Sequence, residues 1–202
     1  GRGRCRAARR IVQIPPSYGL IDMRVISGEW RGRKLLAPKG EATRPTADRT
    51  RETLFSMLTS RLGSFEGLVI ADLFAGSGAL GIEALSRGAA TCLFAEQDRD
   101  ALDVLRGNLS SLGAAARADV RAGSVLGLGP APRAFDLLML DPPYGTGAAS
   151  VALDKLHRLG WIGPDSWVSV ETGHGENVEV AGFAIDADRK VGKARLTLLR
   201  LA

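Results

Sequence analysis

Cysteine, histidine and tyrosine are scarce in this 202-residue chain, at two residues each. Cys5 and Cys92 stand at no metal-ligand spacing from each other or from His157 and His174. A zinc site and a disulfide framework are therefore not what the pattern offers, and unpaired cytosolic thiols with ordinary surface or core histidines remain. Long apolar runs are missing too: charges interrupt every stretch well short of the roughly 18 residues that span a bilayer. No metal, no membrane and a cytoplasmic location are the expectations. Internal repeats are also lacking.

Acidic residues are few at one end. Residues 1–70 hold 14 Lys and Arg against 6 Asp and Glu, or +8, whereas residues 71–202 are at −3. A basic segment joined to a near-neutral body is one way to gather a polyanion, although a solvated basic face has the same composition. With 45% hydrophobic residues, the chain is long enough for one good core and too short for two large domains.

Residues 1–22 are Arg-rich, contain proline and show no periodicity, so they read as a non-native or disordered leader ahead of Met23. Residues 23–63 read as a basic hairpin and a helix. MRVISGEWRGRKLLAP has short extended runs around Gly28 and Gly32 and carries Arg24, Arg31, Arg33 and Lys34, with Trp30 among them. A helix-start signal follows at Pro45-Thr46, with Thr46 as the cap. Leu54, Met57, Leu58 and Leu62 lie at helical spacing, and Arg49, Arg51 and Arg61 are expected on the opposite side.

From residue 64 onward, short apolar runs alternate with helical stretches. Strands are expected near 68–74, 91–96, 119–122, 135–141, 166–171, 178–186 and 195–201, with helices near 79–87, 99–112 and 148–159. That alternation predicts an α/β fold with a doubly wound, seven-stranded, mostly parallel sheet. GSVLGLGPAPRA, the third crossover, is too rich in Gly and Pro to hold much helix. Only DADRKVGK is left between the last two strands, so it reads as their turn and they should pair antiparallel.

VIADLFAGSGALGIEAL sets Gly76, Gly78 and Gly81 between a predicted strand and a predicted helix. Glycines there permit a tight turn and close approach to a ligand, and the pattern alone also fits a dinucleotide oxidoreductase. Asp72 makes it D-x-F-x-G-x-G, with Phe74 at its centre. A diphosphate prefers bare amides, whereas a carboxylate suits a cationic ligand such as S-adenosylmethionine, with its ammonium and sulfonium. Glu96 closes the next strand, where an acidic side chain can accept from ribose hydroxyls. Ser124, after the third strand, is the expected place of an adenine contact. The plainer alternatives are a cap or turn residue for Asp72 and a solvated strand end for Glu96.

The fourth strand, DLLML, runs into Asp141-Pro142-Pro143-Tyr144. In a doubly wound sheet this lies at the same carboxyl edge as the glycine loop. The prolines stiffen the backbone and fix the Pro142 carbonyl as an acceptor, Asp141 adds a second acceptor, and Tyr144 offers a flat face. Two acceptors beside an aromatic face match the exocyclic amino group of a planar base. A proline turn that merely ends a strand is the other reading of these residues.

Together these stretches resemble a known family, the bacterial RsmD-like 16S ribosomal RNA guanine-N2 methyltransferases. The resemblance covers nearly all of residues 23–202 and rests on MRVISGEWRGRKL, TRPTADRTRETLFSML, ADLFAGSGALGIEALSRGA, the Glu of FAEQD and LDPPYGTG. It implies a Rossmann-like class I fold and methyl transfer from S-adenosylmethionine to the N2 amino group of guanine 966 in 16S ribosomal RNA, free or in a small-subunit assembly particle; a monomer is expected. Asp72, Gly76, Gly78, Glu96 and Asp141 to Tyr144 fall on the family's cofactor and catalytic positions. Thr43 to Thr46 match a signature in which Arg44 touches the cofactor carboxylate or an RNA phosphate, or is simply a surface Arg. Arg24, Arg31, Arg33, Lys34 and Arg49 would face RNA. Ser124 departs from the family, which carries an acidic residue there. Three other readings remain open: an adenine or cytosine amino-methyltransferase, a dinucleotide-dependent oxidoreductase, and a non-catalytic RNA-binding module.

Overall fold

In the computed structural model the described residues are 18–38 and 45–202. After the hairpin strands β1 (Tyr18–Arg24) and β2 (Lys34–Pro38) come helix α1 (Pro45–Leu62) and the alternating body: β3 (Val69–Leu73), α2 (Ala79–Ser86), β4 (Thr91–Glu96), α3 (Arg99–Leu112), β5 (Ala118–Ala122), β6 (Leu137–Leu140), α4 (Ala148–Arg158) and β7 (Trp167–Gly173). An antiparallel pair, β8 (Phe183–Val191) and β9 (Ala194–Leu201), ends it. The seven-stranded sheet runs β5-β4-β3-β6-β7-β9-β8, parallel from β5 through β7, with β9 inserted antiparallel beside β7.

Alternating side chains divide the core between the two faces of this sheet. Ile70, Leu137 and Met139 pack with Phe55, Leu58, Ile82, Leu85 and Leu105 on one face. Ala71, Leu73, Leu138 and Leu140 pack with Ala152, Leu153 and Leu156 of α4 on the other. Every residue of β6 is buried, which is why LLML is an unbroken apolar run. Between β5 and β6 there is only one three-residue 3-10 turn, at Val125–Gly127, as the glycine content of that crossover implied.

The hairpin shares this core: Val25, Trp30 and Leu35 belong to the same cluster as Phe55 and Ile82. Glu83, 1% exposed, accepts from the Ile26 and Ser27 amides at 2.8 and 3.0 Å. Ser86 Oγ accepts from Trp30 N at 2.9 Å and donates to Ser27 O at 2.6 Å. Gly28, at φ +85°, lies so close that a Cβ there would be 1.8 Å from the Ser86 carbonyl oxygen. Asn108 of α3 pairs with Leu36 of β2 as a neighbouring strand would, accepting from its N–H at 2.8 Å and donating to its carbonyl at 3.0 Å.

Four expectations need correction. β1 begins at Tyr18, ahead of the boundary expected at Met23. Helix α1 begins at Pro45, which puts Thr46 inside the first turn instead of at the cap; proline suits that first position because it lacks only an amide the helix does not use. Arg51 is buried, not on an outer face, and donates to the Arg24 carbonyl at 2.6 Å and to Asp48 at 3.1 Å. The strand expected at 178–186 lies at Phe183–Val191, and DADRKV belongs to it; the turn is Gly192-Lys193. β8 is an edge strand with mostly exposed side chains, so it needs no apolar run, and Asp188 and Arg195 pair across it. Val178 is apolar for a different reason: it packs into the α4-side core from a loop.

Candidate active site at the switch point of the sheet

β3 and β6 are adjacent and parallel, with Asp72 opposite Met139 and Leu73 opposite Leu140. The chain leaves them toward opposite edges of the sheet, which opens a crevice at their carboxyl ends. Both candidate loops start there. The Asp141 N–H donates to Leu73 O at 3.3 Å, so the two loops depart from bonded positions.

The first loop is held from β4. Phe74 and Ala75 both donate to Ala95 O, at 3.1 and 3.0 Å, and Gly76 N donates to Glu96 Oε2 at 2.8 Å. Phe74 takes φ 67°, the only non-glycine residue with positive φ among those described, and such backbone is costly enough to be kept mainly where a loop shape is needed. Gly78 is required twice over: its φ is +81°, and a Cβ would lie 2.3 Å from Leu105 Cδ1. Asn108 Nδ2 also donates to Ser77 O at 2.9 Å, tying the loop to the hairpin.

Asp72 sits beneath this loop rather than lining its surface. It is 1% exposed, and Oδ2 accepts the Gly81 N–H at 2.8 Å. Burial pushes its carboxyl up to about 7, the Gly81 N–H opposes that shift, and the charge of Glu96 adds to it. Its negative charge is thus poised close to neutral pH, in the place where a cationic ligand would favour it.

Glu96 accepts three backbone amides, Gly76 on Oε2 and Gln97 and Asp98 on Oε1, each at 2.8 Å. A carboxylate offers about four lone-pair sites, so one ribose hydroxyl can join at Oε2 and a second would displace an amide. Asp98 is used otherwise, capping α3 through the Ala101 N–H at 2.8 Å. Ser124 is exposed and caps the 3-10 turn, accepting from Leu126 N at 3.2 Å. Its hydroxyl hydrogen can donate to a ring nitrogen, which a carboxylate could not do. A glycine loop fixed from beneath, a poised buried carboxylate and an acidic strand end suit a cationic nucleoside.

The second loop presents Asp141 exposed, Pro142 buried and Tyr144 49% exposed. Thr146 Oγ1 donates to Pro143 O at 2.7 Å, closing the turn. Tyr144 donates its hydroxyl to Glu171 Oε1 at 2.5 Å. Glu176 accepts from Gly145 N at 2.8 Å and from Gly147 N at 3.3 Å. Sequence reasoning missed both carboxylates. A charged residue inside the apolar strand WVSVETG was the available signal for Glu171; Glu176 left none.

Arg24, Arg31, Arg33, Lys34 and Arg49 are all exposed, and Arg33 also donates to Ser111 O on α3 at 2.8 Å. Trp30 is not among the surface cations but beneath them, 6% exposed with the Arg117 guanidinium over its ring. Arg44 lies outside the described residues, as does the side chain of Thr46. Among the described residues no group of three His, Cys, Asp or Glu could hold a metal ion, and no helix is long and apolar enough to cross a membrane.

The family model described as Conserved hypothetical protein 95 matches residues 23–200. Over 158 residues the chain is 37% identical to ribosomal RNA small subunit methyltransferase D of Escherichia coli, covering 78% of each protein. Over 165 residues it is 39% identical to the protein of that name from Haemophilus influenzae, covering 80% of this chain and 83% of the relative. A solved structure described as "Putative methyltransferase yhhF from Escherichia coli" is similar at a TM-score of 0.76 and 34% identity, over 89% of this chain and 97% of that one. With a match that spans the hairpin as well as the sheet, the chain belongs to the Conserved hypothetical protein 95 family and is a methyltransferase of class I, Rossmann-like fold.

Proposed function

We propose that this enzyme transfers a methyl group from S-adenosylmethionine to the exocyclic N2 amino group of guanine 966 in 16S ribosomal RNA. The reading is carried by one observation: the glycine loop and the Asp141–Tyr144 loop leave adjacent parallel strands, bonded through Asp141 N–H and Leu73 O. The names of the relatives, ribosomal RNA small subunit methyltransferase D, support the substrate class.

The cofactor supplies an electrophilic methyl on a sulfonium. The residues of this chain do the rest. Gly76, Gly78, Glu96 and Ser124 hold the nucleoside end, and Asp72 favours positive charge from below. A guanine amino group is a poor nucleophile because its lone pair is delocalised into the ring. Asp141 and the Pro142 carbonyl accept its two hydrogens and orient the lone pair, while Tyr144 stacks on the base; as the N–C bond forms and the methyl–sulfur bond breaks, the nitrogen gives up one of those hydrogens as a proton to the exposed Asp141 or to water. A guanine inside a stacked helix would have to be flipped out to reach them. Arg24, Arg31, Arg33, Lys34 and Arg49 form the phosphate-facing surface of a basic lobe made of the hairpin and α1, borne on the catalytic body, 64–202, and the enzyme acts as a monomer.

Mass spectrometry of nucleosides and fragments tests this, on 16S rRNA and on small-subunit particles incubated with enzyme and labelled S-adenosylmethionine. N2-methylguanosine at 966 is expected. N6-methyladenosine as the sole product would replace the base assignment, since Asp-Pro-Pro-Tyr geometry also serves adenine. Tight binding of NAD without binding of S-adenosylmethionine would overturn the cofactor.

A further inference from the structure

We propose that Glu171 and Glu176 are positioning residues for methyl transfer: two carboxylates, one in β7 and one in the turn that follows it, that clamp the Asp141–Gly147 loop. This rests on the methyl-transfer role proposed above for that loop. Glu171 fixes the outer end of the Tyr144 ring by accepting its hydroxyl at 2.5 Å. Gly173, two residues along the strand, seats the inner end; a Cβ placed there would be 3.6 Å from both Cβ and Cγ of Tyr144. A ring tied at its hydroxyl and rooted beside the Gly173 backbone has the direction of its long axis set, and a base can stack only where that axis carries the ring.

Glu176 holds the backbone behind the ring. Its two oxygens take the amides of Gly145 and Gly147. Gly147 is the N-cap of α4 and has no side chain to satisfy that terminus, so Glu176 brings negative charge to the helix start from another element. Its own turn is fixed: Glu176 N donates to Gly173 O at 2.9 Å, Thr172 Oγ1 donates to Glu176 O at 3.1 Å, and His174 N donates to Lys193 O of the β8–β9 turn at 2.9 Å. The clamp is therefore assembled before any base arrives. That is the condition under which hydrogen bonds contribute to rate rather than to ground-state binding alone.

A double-mutant cycle with Tyr144→Phe and Glu171→Gln decides the first half, read as kcat and as KM for the cofactor. Each single variant should lower kcat about ten-fold, as loss of one charge-assisted bond allows, with cofactor KM within about two-fold of wild type. The double variant should fall no further. Losses that multiply, or a Glu171→Gln enzyme with wild-type kcat, would overturn the proposal. Amide hydrogen exchange decides the second half without turnover: Glu176→Gln should speed exchange at Gly145 and Gly147 while the β6 amides stay protected. Unchanged exchange there would refute the clamp. If the wild-type enzyme methylates another base, the guanine assignment falls and the cycle runs on the product formed. If it methylates nothing, the proposed function falls and exchange alone still judges the clamp.

Discussion

Asp72→Asn removes a buried ionisable group whose carboxyl is raised from 3.8 to about 7 in the fold. Burial is the main cause, with Glu96 adding and the Gly81 amide opposing. The folded state therefore holds a proton that the unfolded chain releases above pH 4. A carboxyl raised on folding contributes stability fully present below its unfolded value and lost as pH rises through its folded one. At about 1.36 kcal/mol per pKa unit, the whole loss is on the order of 4 kcal/mol, and more than half of it falls between pH 5 and 8. Asparagine keeps an acceptor for the Gly81 N–H and removes the titration. Its extra amide hydrogens lower stability by an offset that does not depend on pH. Urea unfolding at pH 5, 6, 7 and 8 should show the wild-type free energy falling relative to the variant by roughly 2 to 3 kcal/mol across the range. Curves that stay parallel within about 0.5 kcal/mol would show that Asp72 titrates at an ordinary value, and the poised charge beneath the loop would go with it.

Asp141→Asn keeps the size of the side chain but weakens the acceptor, so kcat should fall about 10²- to 10³-fold with cofactor affinity intact; rates within three-fold of wild type would exclude the assigned role. Replacing Arg31, Arg33 and Lys34 together with alanine should weaken RNA binding and reduce the log–log salt slope by about 2, measured by fluorescence anisotropy across a salt series. An unchanged slope would take the hairpin off the RNA surface. Asn108→Ala leaves the N–H and carbonyl of Leu36 and the carbonyl of Ser77 without their partner. It should cost about 3 kcal/mol in urea unfolding, and a loss below about 1 kcal/mol would mean water replaces the amide.

What the sequence made legible was set by pattern length and by burial. Fully buried β6 and the amphipathic α3 could be read because each residue answers to the same neighbour, sheet or core, in a fixed period. β8 could not, because an edge strand with one partner carries polar side chains like those of a turn. Arg51 was misread for a related reason: periodicity treats arginine as an outer residue, whereas this one is buried and reaches the Arg24 carbonyl. Within the site, Asp141 to Tyr144 and the glycines announce themselves through rigid or permissive backbone at a strand end. Glu171 and Glu176 act across the sheet, at sequence separations of 27 to 31 residues from the groups they hold, and no local signal marks such a contact.

The N-terminal hairpin is a small, two-stranded element, and such an element is marginally stable by itself. Its register against the methyl site must therefore come from what it touches. It touches α2 at Glu83 and Ser86, while the same helix begins at Ala79, immediately after the glycine loop. Eight residues of helix span roughly 12 Å, so the exposed arginines stand at a distance from the cofactor loop set by one rigid rod. Asn108 closes the triangle, since a single side chain bonds both Leu36 of the hairpin and Ser77 of the loop. A basic lobe on a flexible tether would raise local RNA concentration without selecting a nucleotide. A lobe built into the same core as the glycine loop can hold phosphates in register with one base, and this is what the proposed transfer to a single guanine requires.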